Sequence, residues 1–164
     1  MLTDKLKRPD RCPSAVKIDV CRTDKYTLKF HKVSNKDGSG KGDMAFTGSE
    51  TDELYGVVFS IDKSEESKLD RAEGLGYGYK KMEIDVEGVN KGPLRVWAYY
   101  ATDINSELKP YHWYKGQTVD GAKEHGLPPD YIKKIEAFES IPDPDKERVD
   151  KETAYKPKSS SNSI

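Results

Sequence analysis

An α+β fold is what the sequence predicts, on three observations. Apolar and polar residues alternate with the two-residue period of strands through much of the first hundred positions. That period breaks once, near residues 64–74, for a short stretch bounded by helical start and stop signals. Two further segments with helical character follow the last strand instead of alternating with strands. This is not the repeating strand–helix–strand pattern of an α/β fold, and no internal repeat is visible.

Each element has its own signal. Residues 15–21 (AVKIDVC) alternate, and residues 26–33 (YTLKFHKV) alternate again, with Tyr26, Leu28 and Phe30 on one face. NKDGSGKGD then reads as a glycine-rich loop and MAFTGSE as a short strand. Residues 54–61 (LYGVVFSI) are nearly continuously apolar, which predicts a strand buried on both faces. Ser64 is the expected N-cap of the inserted helix. Glu65 and Glu66 lie in its first turn, Lys68 and Arg71 in its last, Gly74 stops it, and Leu69 and Ala72 face inward. Strands resume at residues 79–86 and 94–101. The helical pair covers 111–124, ended by Gly126, and 129–139, where Tyr131, Ile132, Ile135 and Phe138 share a side.

The 164 residues suit one domain, expected at residues 1–140. The segment 141–164 (IPDPDKERVDKETAYKPKSSSNSI) is poor in apolar residues and is expected to be a disordered polar tail. A formal net charge of −1 with interspersed signs argues against nucleic acid or an anionic membrane as partner. No apolar run reaches membrane-span length and MLTDKLKRPDR does not read as a signal peptide. Cys12 and Cys21 are therefore expected as reduced thiols in a soluble, cytoplasmic protein.

Several site signals fail on spacing or context. GSGKGD (38–43) lacks phosphate-loop spacing and reads as a mobile hairpin loop, and GLGYG (74–78) follows a helix where a dinucleotide fingerprint needs a strand. His31, His112 and His125 have no paired-ligand spacing, so no metal is expected. Glu73 is different. A carboxylate at a helix C-terminus opposes the macrodipole by roughly 0.3–1 kcal/mol. Glycines that admit a substrate and tyrosines that flank the carboxylate follow it. A carboxylate partly desolvated by aromatic rings suits a general acid or base near neutral pH. The alternative reading is a solvated last-turn glutamate.

Two longer motifs carry more information. LYGVVFSIDKSEESKLDRAEG resembles the middle of γ-glutamylcyclotransferases, where a Gly-Val-Val strand leads to a short helix ending Leu-Asp-x-x-Glu-Gly. GAKEHGLPPDYIKKIEAFE (121–139) resembles the family's C-terminal Gly-Ala-x-Glu-x-Gly-Leu-Pro-x-x-Tyr segment, and the Pro-Ser-Ala of residues 13–15 fits its early strand. The resemblance spans residues 1–139. It implies a small, mostly antiparallel β-barrel with flanking helices. It also implies cofactor-free cyclisation of a γ-glutamyl amino acid or amine to 5-oxoproline, and a monomer or homodimer acting on a small γ-glutamyl substrate. Glu73 falls on the family's catalytic glutamate. Tyr99 matches an active-site tyrosine, with a barrel-lining aromatic as its other reading, and Tyr79 and Gly74 lie near the same mouth as further substrate-binding candidates. Glu124 and Tyr131 belong to the pattern and are expected to serve packing and helix closure. The family opens with a Tyr-Gly-Ser-Asn strand and substrate cradle, for which this sequence has no counterpart. The expectation is a start at an internal methionine of a longer protein. The alternative is a shortened, non-catalytic metabolite- or peptide-binding descendant.

Overall fold

The computed structural model describes residues 2–155 and 157. Among them the order is α1 (Thr3–Leu6), β1 (Val16–Asp24), β2 (Tyr26–Val33), β3 (Gly40–Phe46), β4 (Glu53–Ser60), α2 (Glu66–Glu73), β5 (Tyr79–Gly88), β6 (Gly92–Ala101), α3 (His112–His125), α4 (Pro129–Glu136) and α5 (Lys146–Thr153). The α+β class and its antiparallel sheets match the expectation, but the ladders do not close into one barrel. One sheet has the order β4-β1-β5-β6, and β2 pairs with β3 in a second.

The opening has a local cause. Strand β1 pairs along its length with β4 but registers with β5 only at Cys21↔Gly88 and Arg22↔Glu87. The strand pairs β4–β1 and β5–β6 are therefore joined by only a short ladder. Between them and α3–α4 runs a cavity of about 720 Å³, lined by Ile18, Val57, Phe59, Ile84 and Val96 among others, with Glu73 and Tyr99 at its wall.

Two core clusters flank this space. In one, Val20 and Phe30 pack on Val119, Ala122, Leu127, Tyr131 and Ile135 from α3 and α4. Tyr131 and Ile135 are buried as the helical spacing predicts, with Ile132 and Phe138 packed against the cluster. In the other, Leu6, Cys12 and Ala15 meet Leu69 of α2. Glu124 closes the helical layer through its Oε1, which accepts the N–H of Thr3.

Four sequence expectations change. Strand β4 is half-buried along nearly its whole length because it is a sheet edge, so its continuous apolar run does not signal burial on both faces. Asp62, not Ser64, caps the helical entry: a tight turn (Lys63–Glu65) precedes α2, and the Asp62 carboxylate accepts the Ser64 N–H. Four of the six residues of GSGKGD are strand, since β3 starts at Gly40. Residues 141–155, placed by composition in the tail, carry α5. Arg148 forks onto Asp143 at 2.6 and 2.5 Å, Trp113 Nε1 donates to the same carboxylate, and Lys5 Nζ reaches Glu152 at 2.7 Å. Polar anchors hold this helix, and an apolar count is blind to them. Residues 156 and 158–164 of that stretch lie outside the described residues.

The β2–β3 turn is held by Asp37, whose carboxylate accepts the Ser39 N–H and hydroxyl and pairs with Lys41 Nζ at 2.8 Å. Burial by itself raises a carboxylate's pKa. Here Lys41 and Ser39 outweigh it and bring Asp37 down to about 2. A folded-state pKa below the unfolded value stabilises above the unfolded pKa and loses that stability as pH falls through the folded one. Asp37→Asn is expected to cost about 2 kcal/mol at pH 7 and to flatten the loss of stability between roughly pH 4 and 2. Urea titrations across that range check it.

Candidate active site

Helix α2 ends where the sequence predicts, and its end is tightly built. Gly74 adopts φ 76°, its N–H bonds the Arg71 carbonyl, and the Leu75 N–H bonds that of Asp70. This is the left-handed glycine cap that terminates helices. The Gly74 carbonyl accepts the Tyr77 N–H, so the cap uses both backbone groups of Gly74 and what remains is room beside Glu73.

Glu73, the last residue of α2, is mostly buried. Its Oε1 takes Arg11 Nη1 at 2.7 Å, while Oε2 accepts no hydrogen bond among the described residues. One oxygen is thus fixed by a guanidinium and the other is left for a ligand. Asp70 lies one turn earlier on the same helix face. It accepts the Tyr99 hydroxyl at 2.5 Å and pairs with Lys81, whose ammonium sits 4.4 Å from the Trp97 ring centroid. With its proton committed to Asp70, the Tyr99 oxygen keeps its lone pairs for an incoming donor. Burial first, then the Asp70 carboxylate, drive the Tyr99 pKa far up, so it remains a neutral hydroxyl.

Tyr79 stands edge-on to Tyr99, ring centroids 6.5 Å apart. Its hydroxyl donates to the Gly42 carbonyl at 2.6 Å, and the Gly42 N–H donates to the Tyr114 hydroxyl at 3.1 Å. The glycine is available because β2 bulges between Lys29 and Lys32, which leaves Gly42 without a partner in the ladder. Burial raises both tyrosines, Tyr114 to about 12. The field of Glu73 acts on Tyr79, Tyr99 and Tyr114 alike, and on Lys32 beyond Tyr79.

The structure therefore brings Glu73, Gly74, Tyr79 and Tyr99 to one place. Sequence reasoning missed Arg11, Lys32, Asp70, Tyr114 and the Gly42 backbone. Asp70 was within reach, three residues before Glu73 on a helix, whereas the others come from segments 31 to 62 positions away. Glu124 and Tyr131 lie in the helical layer, where Tyr131 packs on Tyr55 with ring centroids 5.0 Å apart. His31 bonds Asp43, His112 bonds Ser140, and both cysteine thiols are buried and unpaired. Among the described residues no group of three or more His, Cys, Asp or Glu is placed to hold a metal ion, and no helix is long and apolar enough to cross a membrane.

Comparison with known proteins identifies the family and the fold. Residues 53–135 match the AIG2-like family, a span containing Glu73, Tyr79, Tyr99 and Tyr114. The gamma-glutamylcyclotransferase of Bos taurus is 34% identical over 132 residues, covering 79% of this chain and 70% of its own. That of Mus musculus is 35% identical over the same shares. A solved gamma-glutamyl cyclotransferase structure superposes with a TM-score of 0.81 at 28% identity, over 94% of this chain and 93% of its own. The chain belongs to the γ-glutamylcyclotransferase (AIG2-like) family.

Proposed function

We propose that this protein is a γ-glutamyl cyclotransferase that converts a γ-glutamyl amino acid or amine to 5-oxoproline and the free amine, with Glu73 as general acid and base. The observation that carries this is the half-clamped Glu73 carboxylate, oriented on one oxygen by Arg11 and without a hydrogen-bond partner on the other among the described residues, in the wall of a cavity that Tyr99 also lines. The open oxygen takes a proton from the substrate's α-ammonium. The freed nitrogen attacks the γ-carbonyl carbon of the same molecule and forms the five-membered ring. As the tetrahedral intermediate collapses, the bond to the leaving nitrogen breaks, the proton held by Glu73 passes to that nitrogen, and the ring nitrogen gives up its second proton through Glu73 to the departing amine, which leaves as an ammonium. Attack is intramolecular, so the protein's task is to hold the substrate folded in register.

Tyr99, its proton held by Asp70, offers an acceptor to the same ammonium and so helps to place it. Tyr79, edge-on to Tyr99, and Tyr114 are both fixed on the Gly42 backbone. No step requires a cofactor, and the setting proposed is a soluble protein of the cytoplasm. The test is release of 5-oxoproline from γ-glutamylalanine by the purified protein with chromatographic detection of both products. Saturable binding without product would replace the enzyme by a metabolite-binding protein on the same fold.

A further inference from the structure

Three partly buried lysines reach an acid. Lys5 pairs with Glu152, Lys41 with Asp37, and Lys81 with Glu66 and Asp70. Lys32 on β2 does not. It is only 8% exposed, yet among the described residues no group accepts a hydrogen bond from its ammonium and no carboxylate oxygen lies within 4.0 Å of it. It meets a π face: Nζ sits 5.0 Å from the centroid of the Tyr79 ring. The stem is buried while Nζ keeps some access to solvent and so to a ligand, and lysine is rarely buried this far without a counter-charge.

The surroundings hold this ammonium in place. The Val33 N–H bonds the Asp103 carbonyl and Lys32 bridges to Ile104, which fixes the strand. The stem then lies across Gly78, where an added Cβ would come within 2.8 Å of Lys32 Cε and 3.2 Å of Nζ. Gly78 thus leaves room for the lysine beside the glycine turn that follows Glu73. Burial lowers the Lys32 pKa, while the more distant Asp103 and Glu73 carboxylates act the other way. The site consequently presents an acid with an open oxygen and a base with no partner, as recognition of a zwitterion requires.

We infer that Lys32 is the carboxylate-binding residue of this site and pairs with a carboxylate of the γ-glutamyl ligand. The inference rests on the cyclotransferase reading for the identity of the ligand. Two carboxylates qualify: the α-carboxylate of the glutamyl group, common to all such substrates, and that of a departing amino acid, which γ-glutamyl amines lack. The second would make Lys32 the residue that selects amino-acid conjugates.

Lys32→Met keeps the stem and removes the charge. The experiment measures KM for γ-glutamylalanine and γ-glutamylethylamine, and Kd for 5-oxoproline and for 2-pyrrolidinone, the same ring without its carboxylate. Wild type, K32M and K32R are compared, with thermal melts as the folding control. If Lys32 holds the α-carboxylate, K32M raises both KM values and weakens 5-oxoproline by roughly tenfold or more, with 2-pyrrolidinone unchanged. If it holds the departing carboxylate, only the γ-glutamylalanine KM rises. In either case K32R recovers part of the loss. Unchanged KM values and 5-oxoproline affinity in a folded K32M overturn the assignment. Should wild type release no 5-oxoproline, the cyclotransferase reading falls by itself. The two conjugates then remain as unreacted ligands whose Kd values decide the role of Lys32.

Discussion

Glu73→Gln is expected to lower kcat for 5-oxoproline release by roughly a hundred- to ten-thousand-fold, the range that a positioned general acid–base supplies. The change is close to isosteric. The amide oxygen still accepts from Arg11, so the contact at 2.7 Å survives as a hydrogen bond and the cap at Gly74 is untouched. What disappears is a group able to hold a proton between the substrate's ammonium and the leaving nitrogen. Loss of the ionic part of a largely buried pair should cost about 1 kcal/mol. The melting temperature therefore moves by a few degrees while turnover collapses. The two readouts must separate in this way for the role to stand, and E73Q turning over like wild type would assign the proton transfer elsewhere.

Gly40→Ala should give the largest loss of stability available from a single methyl group, about 3 kcal/mol, or roughly 6–12 °C in melting temperature. A Cβ at Gly40 would lie 2.2 Å from the Phe30 carbonyl oxygen and 3.3 Å from the Lys109 carbonyl carbon. Both are backbone atoms, so no rotamer change relieves the contact. The bulge in β2 brings Phe30 this near, and the Gly40 N–H completes the approach by bonding the Lys109 carbonyl at 3.0 Å. Relief requires β3 to move off β2. Because Gly42 lies two residues along and fixes Tyr79 and Tyr114, kcat should fall with stability. Gly116→Ala in α3 is the matched control: no atom lies within 4 Å of its added Cβ, and the same substitution there should stabilise by about 0.5–1 kcal/mol. Urea midpoints of the two variants should lie on opposite sides of wild type.

Much of this molecule was legible from periodicity, because strands and helices that bury one face must carry it in sequence. Strand β2 was placed at both ends, and the stop of α2 at Gly74 was read from a glycine whose φ of 76° disfavours a side chain. Glu73 was legible for a related reason: a carboxylate set against the helix dipole calls for another explanation. Less visible were features fixed by contacts distant in sequence. Arg11 pairs with Glu73 across 62 positions and Tyr79 reaches Gly42 across 37, and no local pattern encodes either. The edge position of β4 escaped because an apolar run looks the same on an edge as in the middle of a sheet. Helix α5 escaped because ion pairs and one indole N–H hold it in place.

That same helix bears on the lifetime of the folded state. Its bond from Lys5 to Glu152 closes a loop of 147 positions, and Arg8 reaches Tyr155 over an equal span. Contacts of such separation carry a large closure entropy and are expected to form after the sheets and the α3–α4 pair have condensed. Interactions absent from the folding transition state change the unfolding rate and leave the folding rate nearly alone. The α1–α5 clasp, which shares Leu6 with the cluster beneath α2, is accordingly expected to slow unfolding as a kinetic latch. It sets how long the end of α2 stays assembled, and the speed of assembly is decided elsewhere in the fold.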